Sequence, residues 1–230
     1  MIKAITLDVA GTLIKPRAPV GEIYSAIAAH HGARLDGVAL NQGFRSVFPR
    51  MPPMAFAQCD RTELERRERA WWRHLVQQVT NAAGGIEAFD AFFTELYDYF
   101  ASGDAWHVYP EVLSFLRELE RLHIPTAVVS NFDSRLLRVL SELNITPLVG
   151  PIFFSTAAAS AKPDATIFNL AIDALELEAS VCLHLGDDCK ADLVGANNAG
   201  MQARLLVREG EQELGDAEIR NLSEALQLLA

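Results

Sequence analysis

The residues whose types and spacing could do chemistry begin with Ile5-Thr6-Leu7-Asp8-Val9-Ala10-Gly11-Thr12-Leu13. An apolar run from Ala4 to Leu7 ends in a carboxylate and then a Gly-Thr turn. This pattern predicts a short buried strand that delivers Asp8 to its C-terminal edge, with Gly11 letting the chain turn away. In open parallel sheets ligands sit beyond the carboxyl ends of the strands. A carboxylate there can be a nucleophile, a metal ligand, or both. An Asp that merely caps a turn fits the same residues. Three later stretches also place polar side chains at the ends of predicted elements. Val128-Val129-Ser130-Asn131 is a strand ending in a hydroxyl and an amide, and Lys162-Pro163-Asp164 sets a lysine just before a helix. Leu185-Gly186-Asp187-Asp188 is a strand ending in carboxylates, with Asp192 on the helix that follows.

The elements that must position these groups follow from periodicity. The first strand is expected over about residues 3–9. The two prolines of Lys15-Pro16-Arg17-Ala18-Pro19 then read as a stiff exit linker rather than as strand or helix. Residues 20–101 hold almost nothing strand-like. Ile23, Ile27 and Ala28 have helical spacing before Gly32, and further helices are expected at Val38–Val47, Thr62–Val79 and Ile86–Phe100. Helices joined by short turns make a compact bundle. From Tyr109 the pattern alternates: helix Pro110–His123, strand Thr126–Val129, helix Asp133–Leu143, strand Ile152–Phe154, helix Asp164–Leu175, strand Val181–Leu185, helix Asp188–Ala199 and strand Ala203–Val207. A last helix is expected over Asn221–Leu229. Alternating strand and helix predicts an α/β fold, a doubly wound parallel sheet with helices on both faces. The helical block therefore interrupts the connection after the first strand.

Composition bounds the function classes. The chain has 230 residues, of which 50% are hydrophobic and 22% charged, as in ordinary globular proteins that can bury a sizeable core. A net charge of −10 argues against a nucleic acid or an anionic membrane as partner, since both need basic surface. Any anion site must therefore be local. Cys59, Cys182 and Cys189 are odd in number and lack metal-site spacing, and Cys182 reads as a buried thiol. No charged-then-apolar leader follows Met1 and no apolar stretch reaches eighteen residues, so the expected setting is the reducing cytoplasm. Monomer and homodimer are both open.

In their order along the chain, the four motifs resemble those of the haloacid dehalogenase-like (HAD) superfamily of phosphohydrolases. Its motifs are a nucleophilic Asp in Asp-x-Asp-Gly-Thr, then Ser/Thr, then Lys, then an acidic Gly-Asp cluster. The resemblance runs through residues 1–207. It implies a Rossmann-like core formed by residues 1–16 and 106–230, with residues 17–105 as an inserted all-helical cap of the C1 type. The stretch from Ser130 to Lys162 is too short for the other common cap. The cap is expected to close over Asp8 through linkers near Pro16–Pro19 and Trp106–Pro110.

The resemblance also implies site roles. Asp8 would form an aspartyl phosphate. Mg²⁺ would be held by Asp8, Asp187 and the backbone carbonyl of Ala10, which does not depend on the side chain. Asp192 matches the family's second acidic position, where it would hold a metal-bound water or position Lys162. Ser130, Asn131 and Lys162 would bind the phosphoryl oxygens of a small phosphorylated substrate. Structural alternatives stand beside these roles: Asp187-Asp188 as a helix cap, Ser130 as a turn hydroxyl and Lys162 as a surface lysine. Asp133 and Asp164 read as helix caps, and His184 reads as a hydrogen-bonded core histidine. His30-His31 and Trp71-Trp72 point to different sides of their helices, so neither pair makes a site by itself.

One position departs from the family. Its second Asp, the general acid/base, is Ala10 here. Four readings follow: a phosphohydrolase with a reduced or relocated acid/base, a phosphonoacetaldehyde hydrolase, a haloacid dehalogenase, or a non-catalytic regulatory binder. Phosphonoacetaldehyde hydrolases resemble this chain at Asp8-Val9-Ala10-Gly11-Thr12 but use a cap lysine, and no lysine lies between Lys15 and Lys162. Dehalogenases lack the acidic last motif. A narrower resemblance, carried by the Gly-Glu-Ile-Tyr helix start, Trp106 and Ser130-Asn131-Phe132-Asp133-Ser134-Arg135-Leu136, is to the rhythmically-expressed-protein-2-like subgroup, which takes in the animal HAD domain-containing protein 3. That subgroup tends to have a non-acidic residue at the position of Ala10.

Overall fold

The computed structural model describes residues 1–208, 210 and 214–229. It divides into two compact units, one of Met1–Lys15, Ala55–Gln58 and Val108–Ala230, the other of Pro16–Met54 and Cys59–His107.

In the first unit, β1 (Ala4–Leu7) is a four-residue strand buried along its whole length. A strand buried on both faces needs helices on both sides and reads as an unbroken apolar run. The other strands of its sheet are β4 (Thr126–Ser130), β5 (Ile152–Phe154), β6 (Cys182–Gly186), β7 (Gln202–Leu206) and β8 (Glu218–Ile219). The strand order is β5-β4-β1-β6-β7-β8, with every pairing parallel. Leu7 is level with Val128 on one side and Leu185 on the other. The order reverses around β1, and such a switch point opens a crevice beyond the strand ends. Helices α5 (Val112–Arg121), α6 (Arg135–Glu142), α7 (Ser155–Ala158) and α8 (Ala165–Leu175) occupy the connections. The α8 side chains Ile167, Phe168 and Ala171 pack with Ala4, Ala127, Val129 and the thiol-bearing Cys182 in one apolar core. Asp164 caps α8 by accepting the Thr166 N–H.

The second unit is helical: α1 (Val20–His30), α2 (Gly37–Val47), α3 (Arg61–Ala82) and α4 (Phe89–Tyr99). Asp36 caps α2 and Asp60 caps α3. Its core joins Ile23, Tyr24, Leu40, Leu75, Phe92 and Leu96, with Trp71 and Trp72 packed against it. His30 and His31 both reach Glu95, at 2.7 and 2.8 Å. They converge on one carboxylate because His31 lies past the helix end with non-helical dihedrals. No helix among the described residues is long and apolar enough to cross a membrane.

Several elements differ from expectation. Ile14–Pro16 is a strand, β2, paired with β3 (Trp106–Val108), rather than pure linker. A two-stranded ribbon consists only of edges, where a terminal proline's missing N–H costs no ladder bond. Helix α6 begins at Arg135, not at Asp133. Asp133 is fully buried and holds the Arg135 guanidinium at 2.6 Å while also accepting the Arg135 N–H. The expected helix after Asp187 splits into a π-helical turn, Cys189–Val194, and α9 (Gly195–Asn198), with Asp188 as its cap. The expected final helix is a 3₁₀ helix, Leu222–Leu228, started by a capping box of Asn221 and Glu224.

Ala159, just past α7, has φ of 52° and lies exposed. A left-handed alanine is strained by ~1–2 kcal/mol. Glycine at such a position gives back ~0.4–1 kcal/mol through unfolded-chain entropy. Ala159→Gly should therefore stabilise the first unit by about 0.5–1 kcal/mol. A urea titration checks this, and a lowered midpoint would contradict the strain argument.

Candidate active site

The site is built where β1, β4 and β6 end side by side. Asp8 follows β1, its N–H donating to the Leu185 carbonyl at 3.0 Å. The chain then closes a small loop: the Val9 carbonyl accepts from the N–H groups of Thr12, Leu13 and Ile14, and the Gly11 N–H donates to Ile14. The last two bonds make Ala10 the bridge partner of Ile14, and Ala10 is exposed. Gly11 has φ of 94°, and a Cβ there would lie 2.2 Å from the Asp187 carboxylate. No residue but glycine fits both constraints.

Ser130, the last residue of β4, donates from Oγ to Asp8 Oδ1 at 3.0 Å. Lys162 Nζ donates to the same oxygen at 2.7 Å and to Asp192 Oδ1 at 2.5 Å. All four groups are buried, Lys162 being 5% and Asp192 1% exposed. Asp187, one residue past β6, accepts from Thr12 Oγ at 3.1 Å. Among the described residues, Asp8, Asp187 and Asp192 form a cluster whose ligand oxygens lie within 4.8 Å of one another.

Burial sets the protonation of this cluster, and the charges then modify it. Burial pushes the Asp8 carboxyl up, with the Asp192 charge adding to the rise and Lys162 opposing it. Burial also works against the Lys162 charge, but Asp8 and Asp192 outweigh it and hold the ammonium above the ordinary lysine value. For Asp192 burial acts upward, yet Lys162 and the hydrogen bond from His184 hold its carboxyl far below the usual range. Asp187 is pushed up to about 7, by packing against the Gly11–Thr12 turn first and by the Asp8 and Asp192 charges second. Its outer face remains open to water, which trims the effect of that packing.

The structure brings Asp8, Ser130, Lys162, Asp187 and Asp192 together, and it gives Asn131 a neighbour other than the anticipated one. Asn131 does not turn its side chain to Asp8: its Nδ2 donates to the Lys162 carbonyl at 2.9 Å, and its Oδ1 accepts the Lys162 N–H at 2.8 Å. The amide thus ties the lysine loop to the end of β4. Asp192 faces Lys162 with one oxygen and the Asp188 N–H with the other, at 2.9 Å. Its Oδ1 also meets His184 Nε2 at 3.0 Å, and His184 Nδ1 meets Thr6 Oγ at 2.8 Å. Of the two roles anticipated for Asp192, these bonds favour positioning Lys162. Thr12 is a site residue that sequence reasoning passed over, although it stands inside the Asp8 motif.

Three comparisons bear on this arrangement. The family model for haloacid dehalogenase-like hydrolases matches residues 2–200. The human haloacid dehalogenase-like hydrolase domain-containing protein 3 is 33% identical over 208 residues, covering 90% of this chain and 82% of its own. The Drosophila melanogaster rhythmically expressed gene 2 protein is 26% identical over 216 residues, covering 89% of this chain and 82% of its own. Among solved structures, L-2-haloacid dehalogenase from Xanthobacter autotrophicus superposes with a TM-score of 0.75 at 17% identity, covering 100% of this chain and 98% of its own. That last likeness speaks to fold alone.

A carboxyl raised on folding favours its protonated form. Its contribution to stability is therefore complete below the unfolded value and lost as pH rises through the folded one. With Asp187 at about 7 against an ordinary 3.8, the protein in a chelator should lose stability between about pH 4 and pH 7. Asp187→Asn should flatten that decline in urea titrations across the range. An unchanged slope would remove Asp187 as its source.

Proposed function

The chain belongs to the haloacid dehalogenase-like hydrolases, and we propose that within this family it is a cytoplasmic Mg²⁺-dependent phosphohydrolase acting on a small phosphorylated metabolite. The observation that carries this reading is the convergence of Ser130 and Lys162 on one oxygen of Asp8, beside Asp187 and Asp192. With Oδ1 held by two donors, the Asp8 carboxylate is oriented rather than free to rotate, and it is the nucleophile. It attacks phosphorus, the bond from phosphorus to the leaving oxygen breaks, and an aspartyl phosphate results. Water then cleaves that intermediate, releasing phosphate and restoring Asp8. Ser130 and Lys162 also donate to the phosphoryl oxygens as charge shifts onto them. Asn131 acts one step back, by fixing the backbone of Lys162.

The donor set fits a hard divalent cation. Three carboxylates crowd one ammonium, so the site by itself repels a phosphate. Asp8, Asp187 and the Ala10 carbonyl would hold Mg²⁺, with Asp192 behind Lys162. When bound, the cation neutralises this excess charge and that of the phosphoryl oxygens. On this reading the helical unit is the family's cap and selects the substrate.

Ala10 sets the kinetic character. A methyl group neither protonates a leaving alkoxide nor activates water. General acid–base catalysis is worth ~10²–10⁴ in rate, or about 3–5 kcal/mol of barrier. Substrates with acidic leaving groups need little help in the first step, while the second step stays slow, so phosphoenzyme accumulates. Other chemistries fit less well. A carbon-attacking dehalogenase would have to draw a carboxylate substrate into this carboxylate cluster. A Schiff-base mechanism needs an available amine, whereas Lys162 is buried and ion-paired and Lys15 lies over the Tyr109 ring. The second reading is a regulatory protein that binds a phosphate ligand without turnover, and the observation favouring it is Ala10 itself.

A panel of acyl phosphates and phosphate esters separates these readings. Wild type should hydrolyse acyl phosphates slowly and only with Mg²⁺, and Asp8→Asn should abolish this. Ala10→Asp should raise steady-state turnover by about 10² or more. Silence of both wild type and Ala10→Asp across the panel would leave the binding reading in place of the enzyme.

A further inference from the structure

We propose that Arg208 is a positioning residue for the candidate active site, acting as an anchor for the loop that carries Ala10 and supports Asp187. This rests on the phosphohydrolase reading only in the part that concerns Mg²⁺.

Arg208 lies just past β7, 197 positions from Gly11 in the first motif. Its Nε donates to the Gly11 carbonyl at 3.2 Å, and its Nη2 donates to the Thr12 carbonyl at 2.6 Å. Its Nη1 meets Glu111 at 2.7 Å, and its guanidinium stacks on Tyr109 at 3.5 Å from the ring centre. Each polar face of the guanidinium therefore has a partner, and the ring covers its flat side.

The inward N–H groups of residues 11–14 are satisfied by Val9 and Ile14. The Gly11 and Thr12 carbonyls point the other way, and Arg208 takes both. Gly11 is a residue whose dihedrals cost little to change, so the loop needs an external restraint to keep one shape. The same two residues support Asp187: Gly11 by close approach and Thr12 by its hydroxyl. The Ala10 carbonyl, a proposed cation ligand, belongs to the peptide that runs directly into Gly11. Fixing the Gly11 and Thr12 carbonyls thus fixes Ala10 and Asp187 together. Only a planar fork can reach two successive carbonyls, a carboxylate and a ring face at once, so lysine is a poor substitute.

Partners that orient cation-binding groups are worth ~10–100-fold in metal affinity. Arg208→Gln is therefore expected to weaken Mg²⁺ binding, measured by calorimetry, by about tenfold or more. Arg208→Lys should fall closer to Arg208→Gln than to wild type. Glu111→Gln, which leaves both carbonyl contacts in place, should retain most of the affinity. Amide hydrogen exchange supplies a readout that needs no metal: Arg208→Gln should speed exchange at residues 11–14 while leaving β4 and β6 protected. That local pattern also separates loss of the anchor from general unfolding. Unchanged exchange in the loop would overturn the proposal, whatever Mg²⁺ does. Faster exchange with unchanged Mg²⁺ affinity would overturn the link to Asp187 and Ala10. If wild type itself bound no Mg²⁺, the phosphohydrolase reading would fail, and loop exchange alone would decide the anchor.

Discussion

A lysine ammonium taken out of water persists only where anions surround it, and Lys162 is 5% exposed. Removing one partner of such a buried pair typically costs about 3–5 kcal/mol, because the other charge is left uncompensated. Much of the site is arranged around that constraint. Asp192 is a dedicated counter-ion, kept anionic by Lys162, His184 and the Asp188 N–H. The π-helical turn after Asp188 carries Asp192 into the interior. Asn131 grips the lysine by its backbone, so neither end of the residue is loose. Asp8 is shared between Lys162 and Ser130, and its carboxylate is oriented by a cation whose own place is fixed elsewhere.

The sequence was most informative where side-chain type and strand end coincide. Asp8, Ser130 and Asp187 each close a strand of a doubly wound sheet, so an apolar run followed by one polar residue locates them. Lys162 was legible from its place just before a predicted helix, which Asp164 caps, and from its match to the family's lysine motif. What stayed hidden depends on distance along the chain. Asn131 looked like another donor to a ligand, since nothing local shows that its amide would pair with a backbone 31 positions away. His184 reads as a hydrogen-bonded core histidine, as the structure has it, but only the register across β1 and β6 shows that Thr6 is one of its partners. Arg208 follows an ordinary apolar strand and carries no mark of its contacts near residue 11. The π-helical turn and the final 3₁₀ helix follow the same rule, since helical periodicity in sequence does not distinguish the type of helix.

Ala10 separates what the fold provides from what the chemistry requires. The loop that carries it holds Asp187 through the close approach of Gly11 and the Thr12 hydroxyl. The side chain that would move protons is absent, while Asp8, Ser130, Lys162 and Asp187 remain assembled. Under the proposed phosphohydrolase reading, Asp8 as a nucleophile without an acid/base suits a first step with a good leaving group and a slow second step. That reading therefore predicts a covalent intermediate at Asp8 that forms readily and decays slowly.

The most direct measurement is to mix the protein with Mg²⁺ and acetyl phosphate, quench in acid at short times, and read the intact mass and the peptide containing Asp8. The account predicts one added phosphoryl group on most molecules, located on Asp8, and far less of it in Ala10→Asp, where the second step is restored. No adduct in wild type or in Ala10→Asp, with the protein folded and Mg²⁺ bound, would contradict Asp8 as the nucleophile.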